Sequence, residues 1–200
     1  AGIFYAGFGA SVKRCPQGAF TICTRFHTMD QILHKMMKES DNLYAESMYY
    51  QIAASTGNRP ASAKSARNVE RQLIRKIGLD PARYKLADGS GLSLYNYLSA
   101  ELEVKLLRYA YRDENMYQQL KQSLPIAGVD GTLKKRMKTG YAHANVKAKT
   151  GTLTGIISLA GYCKAANGHE LCFSIINNGI VHGNSARNFA DKVCELLCKP

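Results

Sequence analysis

The stretch Val146-Lys147-Ala148-Lys149-Thr150-Gly151-Thr152-Leu153 alternates β-forming and small residues around a Lys-Thr-Gly triplet. A strand at the edge of a sheet offers unpaired backbone N–H and C=O groups, and an extended peptide can add itself there as a further strand. The Lys149 ammonium and the Thr150 hydroxyl then suit a peptide's terminal carboxylate, the lysine acting through charge. Gly151 lets a ligand approach closely. The Thr152 N–H can donate to an oxyanion developing on the ligand, where one such donor is worth about 2.7–4 kcal/mol of barrier. Upstream, Ser40-Asp41-Asn42 interrupts a helical pattern. It supplies a hydroxyl able to relay a proton and an amide offering both donor and acceptor. For Ser40 and Asn42 alike, a cap on the following helix is the structural alternative.

Lys-Thr-Gly occurs twice, at 138–140 and at 149–151. The first is expected to end a short basic helix begun by Thr132, with Gly140 as the glycine that closes it. The second lies in a β pattern and leads into a hairpin, so it is the candidate site.

The remaining elements must hold Ser40 against that strand. Residues 1–26 alternate β-formers with glycine, and Ala19–Cys23 reads as a strand. Thr28-Met29-Asp30-Gln31 is a capping box opening a helix with Ile32, Leu33, Met36 and Met37 on one face. A second helix runs from Leu43 to about Ser55 and closes at Gly57. A third, over 61–77, turns Val69, Leu73 and Ile77 inward and carries Lys64, Arg67, Arg71 and Arg75 as a basic stripe, either a solvated face or an anion-binding one. Ala87-Asp88-Gly89-Ser90-Gly91-Leu92-Ser93 is a glycine-rich loop after a short strand. Residues 100–122 read as one helix. Strands at 146–153, 156–164 and 170–177 form a meander, and a helix from Ser185 to Leu197 buries Ala186, Phe189, Ala190, Val193 and Leu197. The fold class is α+β, a helical cluster plus an antiparallel sheet with a C-terminal helix, and residues 1–200 are expected to form one domain.

Lysine and arginine number 27 against 15 acidic residues, a net charge of +12. Such a balance favours a polyanionic partner or surface. No stacking motif or recognition fold accompanies the charge, so nucleic acid is not the expected partner. The six cysteines and the histidines show no zinc-ligand spacing, and neither metal nor cofactor is expected. A two-residue turn at Asn167-Gly168 would place Cys163 opposite Cys172 and permit a disulfide; free buried thiols are the alternative. No apolar run is long enough to span a bilayer.

Four stretches carry a family resemblance: Lys38 to Glu46, the Asp88 loop, Leu124-Pro125-Ile126-Ala127-Gly128-Val129-Asp130-Gly131-Thr132-Leu133, and Ala148 to Gly155. From about Met29 onward the chain resembles the C-terminal part of the transpeptidase domain of low-molecular-mass penicillin-binding proteins. The resemblance is to the D-alanyl-D-alanine carboxypeptidase/endopeptidase family, and it implies a partial penicillin-binding (β-lactamase-like) fold. It also implies that Ser40, with Lys149, relays a proton to the leaving amine, and that Asn42 binds the acyl side of the substrate. Thr150 would bind the carboxylate of a terminal D-Ala or of a β-lactam. The implied ligands are peptidoglycan peptides and β-lactams, and the implied location is the periplasm or cell envelope.

The family's nucleophile is a serine followed three residues later by its lysine base. No serine of this chain has lysine at that position; Ser11 is followed by Arg14 and Ser40 by Leu43. Guanidinium does not deprotonate in proteins, so Arg14 is no substitute. The nucleophile is therefore expected on an N-terminal part of the protein outside these residues. Exposed apolar surface is expected where that part, or a second copy of the chain, packs. A non-catalytic binding module for cell-wall peptides is the rival reading.

Overall fold

The computed structural model describes residues 16–57 and 60–200. Thr28 opens α1 (Met29–Lys38) as read from sequence: the Gln31 N–H donates to the Thr28 hydroxyl, and the Thr28 N–H donates to the Gln31 side chain. Asp41 caps α2 (Asn42–Ala54), and Ser62 caps α3 (Ala63–Lys76), which packs on α2. The inward face of α3 centres on Ala66 and Ile74, with Val69, Leu73 and Ile77 half-buried at its margins. Two neighbours set that face: Ala66 packs with Tyr49 and Ala53 of α2, while Ile74 packs with Leu79, Tyr84 and Leu102.

The helix expected over 100–122 is two helices, α4 (Ala100–Tyr111) and α5 (Glu114–Ser123). Asp113 takes an extended conformation between them and accepts a hydrogen bond from the Met116 N–H, capping α5. The strand expected before the Asp88 loop reduces to a single bridge between Lys85 and Tyr97. Ala19–Cys23 forms no strand. Phe20 and Ile22 are 84% and 91% exposed, and an alternating pattern without a neighbouring strand has nothing to pair with. The first fifteen residues, Cys15 included, lie outside the described ones.

No basic helix follows Thr132. Gly131–Leu133 makes one 3-10 turn, without a side-chain cap, because the carboxylate of Asp130 is engaged by Lys38 and by the Ile126 N–H. Gly140 is fixed instead by Glu195, which accepts hydrogen bonds from the N–H groups of Tyr141 and Ala142; a Cβ at Gly140 would lie 2.5 Å from its carboxylate. The first Lys-Thr-Gly is thus a turn tied to the C-terminal helix.

The second becomes β1 (Lys147–Leu153), followed by β2 (Ile156–Lys164) and β3 (Glu170–Asn178) in an antiparallel meander with spatial order β1-β2-β3. The C-terminal helix α6 (Gly183–Cys198) covers one face, where Leu159, Cys163 and Phe173 meet Ala190, Cys194 and Cys198. Phe189 stays 54% exposed. Helix α4 packs on the other face, where the buried Tyr162 hydroxyl donates to the Leu107 carbonyl at 2.7 Å. The β2–β3 loop is one residue longer than expected: the Ala165 N–H bonds to His169, and Gly168 sits at φ 84°, the habit of a three-residue hairpin loop. Cys163 therefore faces Leu171 and Cys172 faces Tyr162. The two thiols lie on opposite faces of the sheet, and both are free.

Gly161 decides how closely β1 and β2 pair. A Cβ there would lie 2.1 Å from the Lys147 carbonyl oxygen and 2.6 Å from the Ala148 Cα, backbone that cannot swing aside. Gly161→Ala is expected to cost about 1–3 kcal/mol, the range for overpacking, read as a lower urea midpoint. Gly151 is the contrasting case. Its Cβ would meet only the Ser158 hydroxyl, which can rotate away, so Gly151→Ala should stay within about 0.5 kcal/mol, as for substitutions outside such features.

Candidate active site

The turn between α1 and α2 holds Ser40 at φ 57°, a conformation uncommon for a residue with a side chain. Neither Ser40 nor Asn42 is the cap of α2. Asp41 is: its carboxylate accepts hydrogen bonds from the N–H groups of Leu43 and Tyr44 at 3.0 and 3.1 Å. That leaves the Ser40 hydroxyl for other work, and leaves Asn42 exposed at the first position of the helix. Strained backbone outliers concentrate at functional sites.

Lys149 leaves β1 on the sheet face that meets the helical cluster. Its Nζ donates to Ser40 Oγ at 2.6 Å, across 109 residues of sequence, and to the Thr150 carbonyl at 2.7 Å. Burial, with no carboxylate beside it, lowers its pKa below the ordinary lysine value. A lysine so placed can pass a proton to and from a hydroxyl more readily than a solvated one. Thr150 points to the opposite face, its hydroxyl donating to that of Thr132 at 2.9 Å.

Among the described residues no strand lies beside the outer edge of β1, which carries a single bridge from Ile126 to Lys147. The Ala148 N–H donates outward to the Pro125 carbonyl. By strand alternation the Thr150 and Thr152 backbone groups point the same way. Beyond Ala148 that edge is unpaired among the described residues, with the Thr152 N–H aimed outward and the Ser40–Lys149 pair beside it.

Four side chains outside the expected set hold this arrangement. Lys38, 6% exposed, donates to Asp130 at 2.5 Å, and Asp130 also accepts from the Ile126 N–H. Gly131 packs so tightly on the Lys38 carbonyl that a Cβ would lie 2.7 Å from it. These contacts bind the Ser40 turn to the segment that ends in Thr132, and so to Thr150. One helical turn beyond Asn42, Glu46 accepts hydrogen bonds from the N–H groups of Gly89 and Ser90 at 3.2 and 3.0 Å. Asp88 closes that loop on itself by accepting from Gly91, Ser93 and Asn96. A Cβ at Gly89 would strike the Tyr49 Cβ and the Ala45 carbonyl, so the glycine-rich loop is shaped to lie on α2. Lys38, Glu46 and Asp130 stand within the sequence motifs, but their partners are 43 to 92 residues distant, which spacing alone does not disclose.

Comparison with known proteins places this geometry. The D-Ala-D-Ala carboxypeptidase 3 (S13) family matches residues 14–199. The chain belongs to that family. Among its relatives, the D-alanyl-D-alanine carboxypeptidase DacB of Haemophilus influenzae is 35% identical over 78% of this chain and 33% of its own length. The D-alanyl-D-alanine carboxypeptidase of an Actinomadura species is 39% identical over 76% of this chain and 28% of its own. The chain therefore spans about a third of the length of these relatives. The crystal structure of penicillin binding protein 4 (dacB) from H. influenzae superposes with a TM-score of 0.74 at 32% identity, covering 82% of this chain and 39% of that one. That protein has also been crystallised with a β-lactam. The TLA-3 extended-spectrum β-lactamase, 17% identical, shares the fold with a TM-score of 0.59 over 86% of this chain and 62% of its own. The α+β assembly of helices and a three-stranded antiparallel sheet is thus that of the S13 and β-lactamase-like proteins.

Proposed function

We propose that this chain is the substrate-binding and proton-relaying part of a serine-type D-Ala-D-Ala carboxypeptidase/endopeptidase acting on peptidoglycan stem peptides. The observation that carries the reading is the 2.6 Å hydrogen bond from Lys149 to Ser40 at the open edge of β1. A stem peptide adds to that edge as a strand. The Thr150 hydroxyl and the Lys149 ammonium receive its terminal carboxylate, Asn42 holds the acyl side, and Gly151 leaves room for the backbone. Because Ser40 Oγ accepts from Lys149, its own proton is free to pass to the leaving amine, and Lys149 restores it. The Thr152 N–H supplies one donor of the oxyanion hole.

The nucleophile, on this reading, is a Ser-x-x-Lys serine outside these 200 residues, in the cell envelope of the organism that makes the protein. The exposed Leu43 and Leu94, 73% and 75% accessible beside the Asn42 turn and the Asp88 loop, suit packing by that further part of the protein.

The test is covalent labelling. The 200-residue chain, incubated with a fluorescent penicillin and run on a denaturing gel, should carry no label, whereas the full-length protein should. Label on the isolated chain, mapped to Ser40, would instead make Ser40 the nucleophile with Lys149 as its base. If the full-length protein is also unlabelled yet binds a D-Ala-D-Ala peptide through Thr150, the chain is a non-catalytic module for cell-wall peptides.

A further inference from the structure

The basic stripe of α3 does not face open solvent along its whole length. Lys64, Arg67 and Arg71 line a pocket of about 470 Å³ together with the segment from Tyr84 to Ala87, Lys85 included, and with Tyr95. None of Ser40, Lys149 or Thr150 lines it. Among the described residues, none of these four cations is ion-paired with a carboxylate; Lys85 instead lies 4.9 Å from the centroid of Tyr95.

Two residues that line the same space carry a buried oxygen without a partner. The Tyr84 side chain is 9% exposed, and its hydroxyl has no hydrogen-bond partner. Glu70 Oε2 is in the same condition, and both residues line the pocket. These are the only buried side-chain oxygens or nitrogens so placed among the described residues. Native folds leave few such groups unpaired, because each forfeits its hydration without compensation. Beside these two stand Lys64, Arg71 and Lys85, which no carboxylate pairs among the described residues, and Arg67, which acts on Glu70 and Tyr49. Two such oxygens on the lining of one cavity suit a ligand that supplies the missing bonds once their side chains turn toward it.

We propose that this pocket binds a small phosphate monoester, its phosphoryl oxygens held by Arg67, Arg71, Lys64, Lys85 and the Tyr84 hydroxyl, its organic part against Tyr95. A dianion with three terminal oxygens matches four cations and a hydroxyl. A carboxylate has one charge and two oxygens and would leave half of these donors unused. Glu70 fits the same ligand. Burial pushes its carboxyl up to about 7, against the opposing pull of Arg67, so near neutrality it spends much of its time protonated and can donate to a phosphoryl oxygen. The titratable groups acting with it are Arg67 and, on α2, Tyr49, while Lys64, Arg71, Lys85, Tyr84 and Tyr95 line the same pocket.

Calorimetric titration of the full chain with phenyl phosphate, inorganic phosphate and acetate at fixed ionic strength tests the proposal. Phenyl phosphate should bind more tightly than inorganic phosphate, and acetate at least tenfold more weakly than either. Tyr84→Phe removes only a hydroxyl that bonds to nothing in the fold, so its Tm should be unchanged while phenyl phosphate affinity falls about tenfold. Arg71→Ala should weaken binding by a similar factor. Glu70→Gln should bind as the parent does at pH 6 but more tightly than the parent at pH 8, where the parent's carboxylate is ionised; comparing two proteins at one pH cancels the titration of the ligand. Parent-like affinity in both Tyr84→Phe and Arg71→Ala would overturn the site, as would acetate binding equal to phenyl phosphate. Binding confined to vesicles of anionic phospholipid, unaffected by Tyr84→Phe, would reassign the cations to a membrane surface and also overturn it.

Discussion

Replacing Lys149 by methionine in the full-length protein is expected to lower kcat/KM for a D-Ala-D-Ala-terminated peptide by about 10²–10⁴-fold, the range for loss of a positioned proton-transfer group. Methionine keeps much of the packing volume and removes the ammonium that hydrogen-bonds Ser40 and that the proposed function gives to the substrate carboxylate. Two companion variants divide those roles. Ser40→Ala should lower kcat and leave KM nearly unchanged, because the proposed function assigns its hydroxyl to the leaving group, whereas Thr150→Val should mainly raise KM. A Lys149→Met enzyme retaining more than a tenth of parental kcat/KM would remove Lys149 from the chemistry.

The lowered pKa of Lys149 adds a second readout. In the proposed function the charged form binds the carboxylate, so KM should begin to rise at a pH below the ordinary lysine value of about 10.4, and Lys149→Met should lack that limb. Its effect on stability has the opposite sense. Between the lowered folded pKa and the unfolded value, the unfolded chain holds the extra proton, so this group's contribution to stability increases as pH rises through that window. Burial raises the pKa of the Cys163 and Cys194 thiols and of the Tyr117 and Tyr162 phenols, and those groups weaken the fold as pH rises past their ordinary values. The loss of binding, followed by a peptide-binding titration, is therefore expected to begin at a pH where near-ultraviolet circular dichroism is still that of the folded protein.

What the sequence disclosed depended on how local each determinant was. The capping box at Thr28 and the alternation of β1 are settled within a few residues, and both stand as read. The meeting of Ser40 with Lys149, across 109 residues, was legible through the family resemblance, since no periodicity links a turn to a distant strand. One-residue effects escaped. The β2–β3 loop takes Gly168 in the left-handed region and is three residues long, which turns Cys163 and Cys172 to opposite faces. Asp113 reads as an ordinary helical position until its side chain is seen capping α5. The other long-range roles escaped altogether. Glu46 looks like a surface acid of α2, and Lys38 like a solvated cation at the end of α1, until the Asp88 loop and Asp130 are brought to them.

Asp130→Asn is expected to destabilise the protein by about 3 kcal/mol, the low end of the range for breaking a buried ion pair, because Asp130 itself keeps 38% of its side-chain surface exposed. Asparagine preserves the shape and can still accept from the Ile126 N–H, so the loss is that of the charge facing Lys38. Lys38 is the buried partner at 6% exposure, and without Asp130 its ammonium is desolvated and uncompensated. The reverse change is therefore milder. Lys38→Met takes the buried charge away, leaves an acid that water reaches, and should cost about 1 kcal/mol, typical of a single substitution. Urea unfolding of both variants and of the double mutant measures the coupling, and the double mutant should be more stable than Asp130→Asn alone. Equal losses in the two single variants, or an Asp130→Asn loss under 1 kcal/mol, would show that the pair is not the strut described. The functional consequence follows from what the strut joins. With Lys38 released, Gly131 and Thr132 lose their seat against the Ser40 turn, so Thr150, whose hydroxyl donates to that of Thr132, should bind the substrate carboxylate less well. KM should rise in Asp130→Asn at temperatures where the variant is still fully folded, although neither Asp130 nor Lys38 touches the peptide.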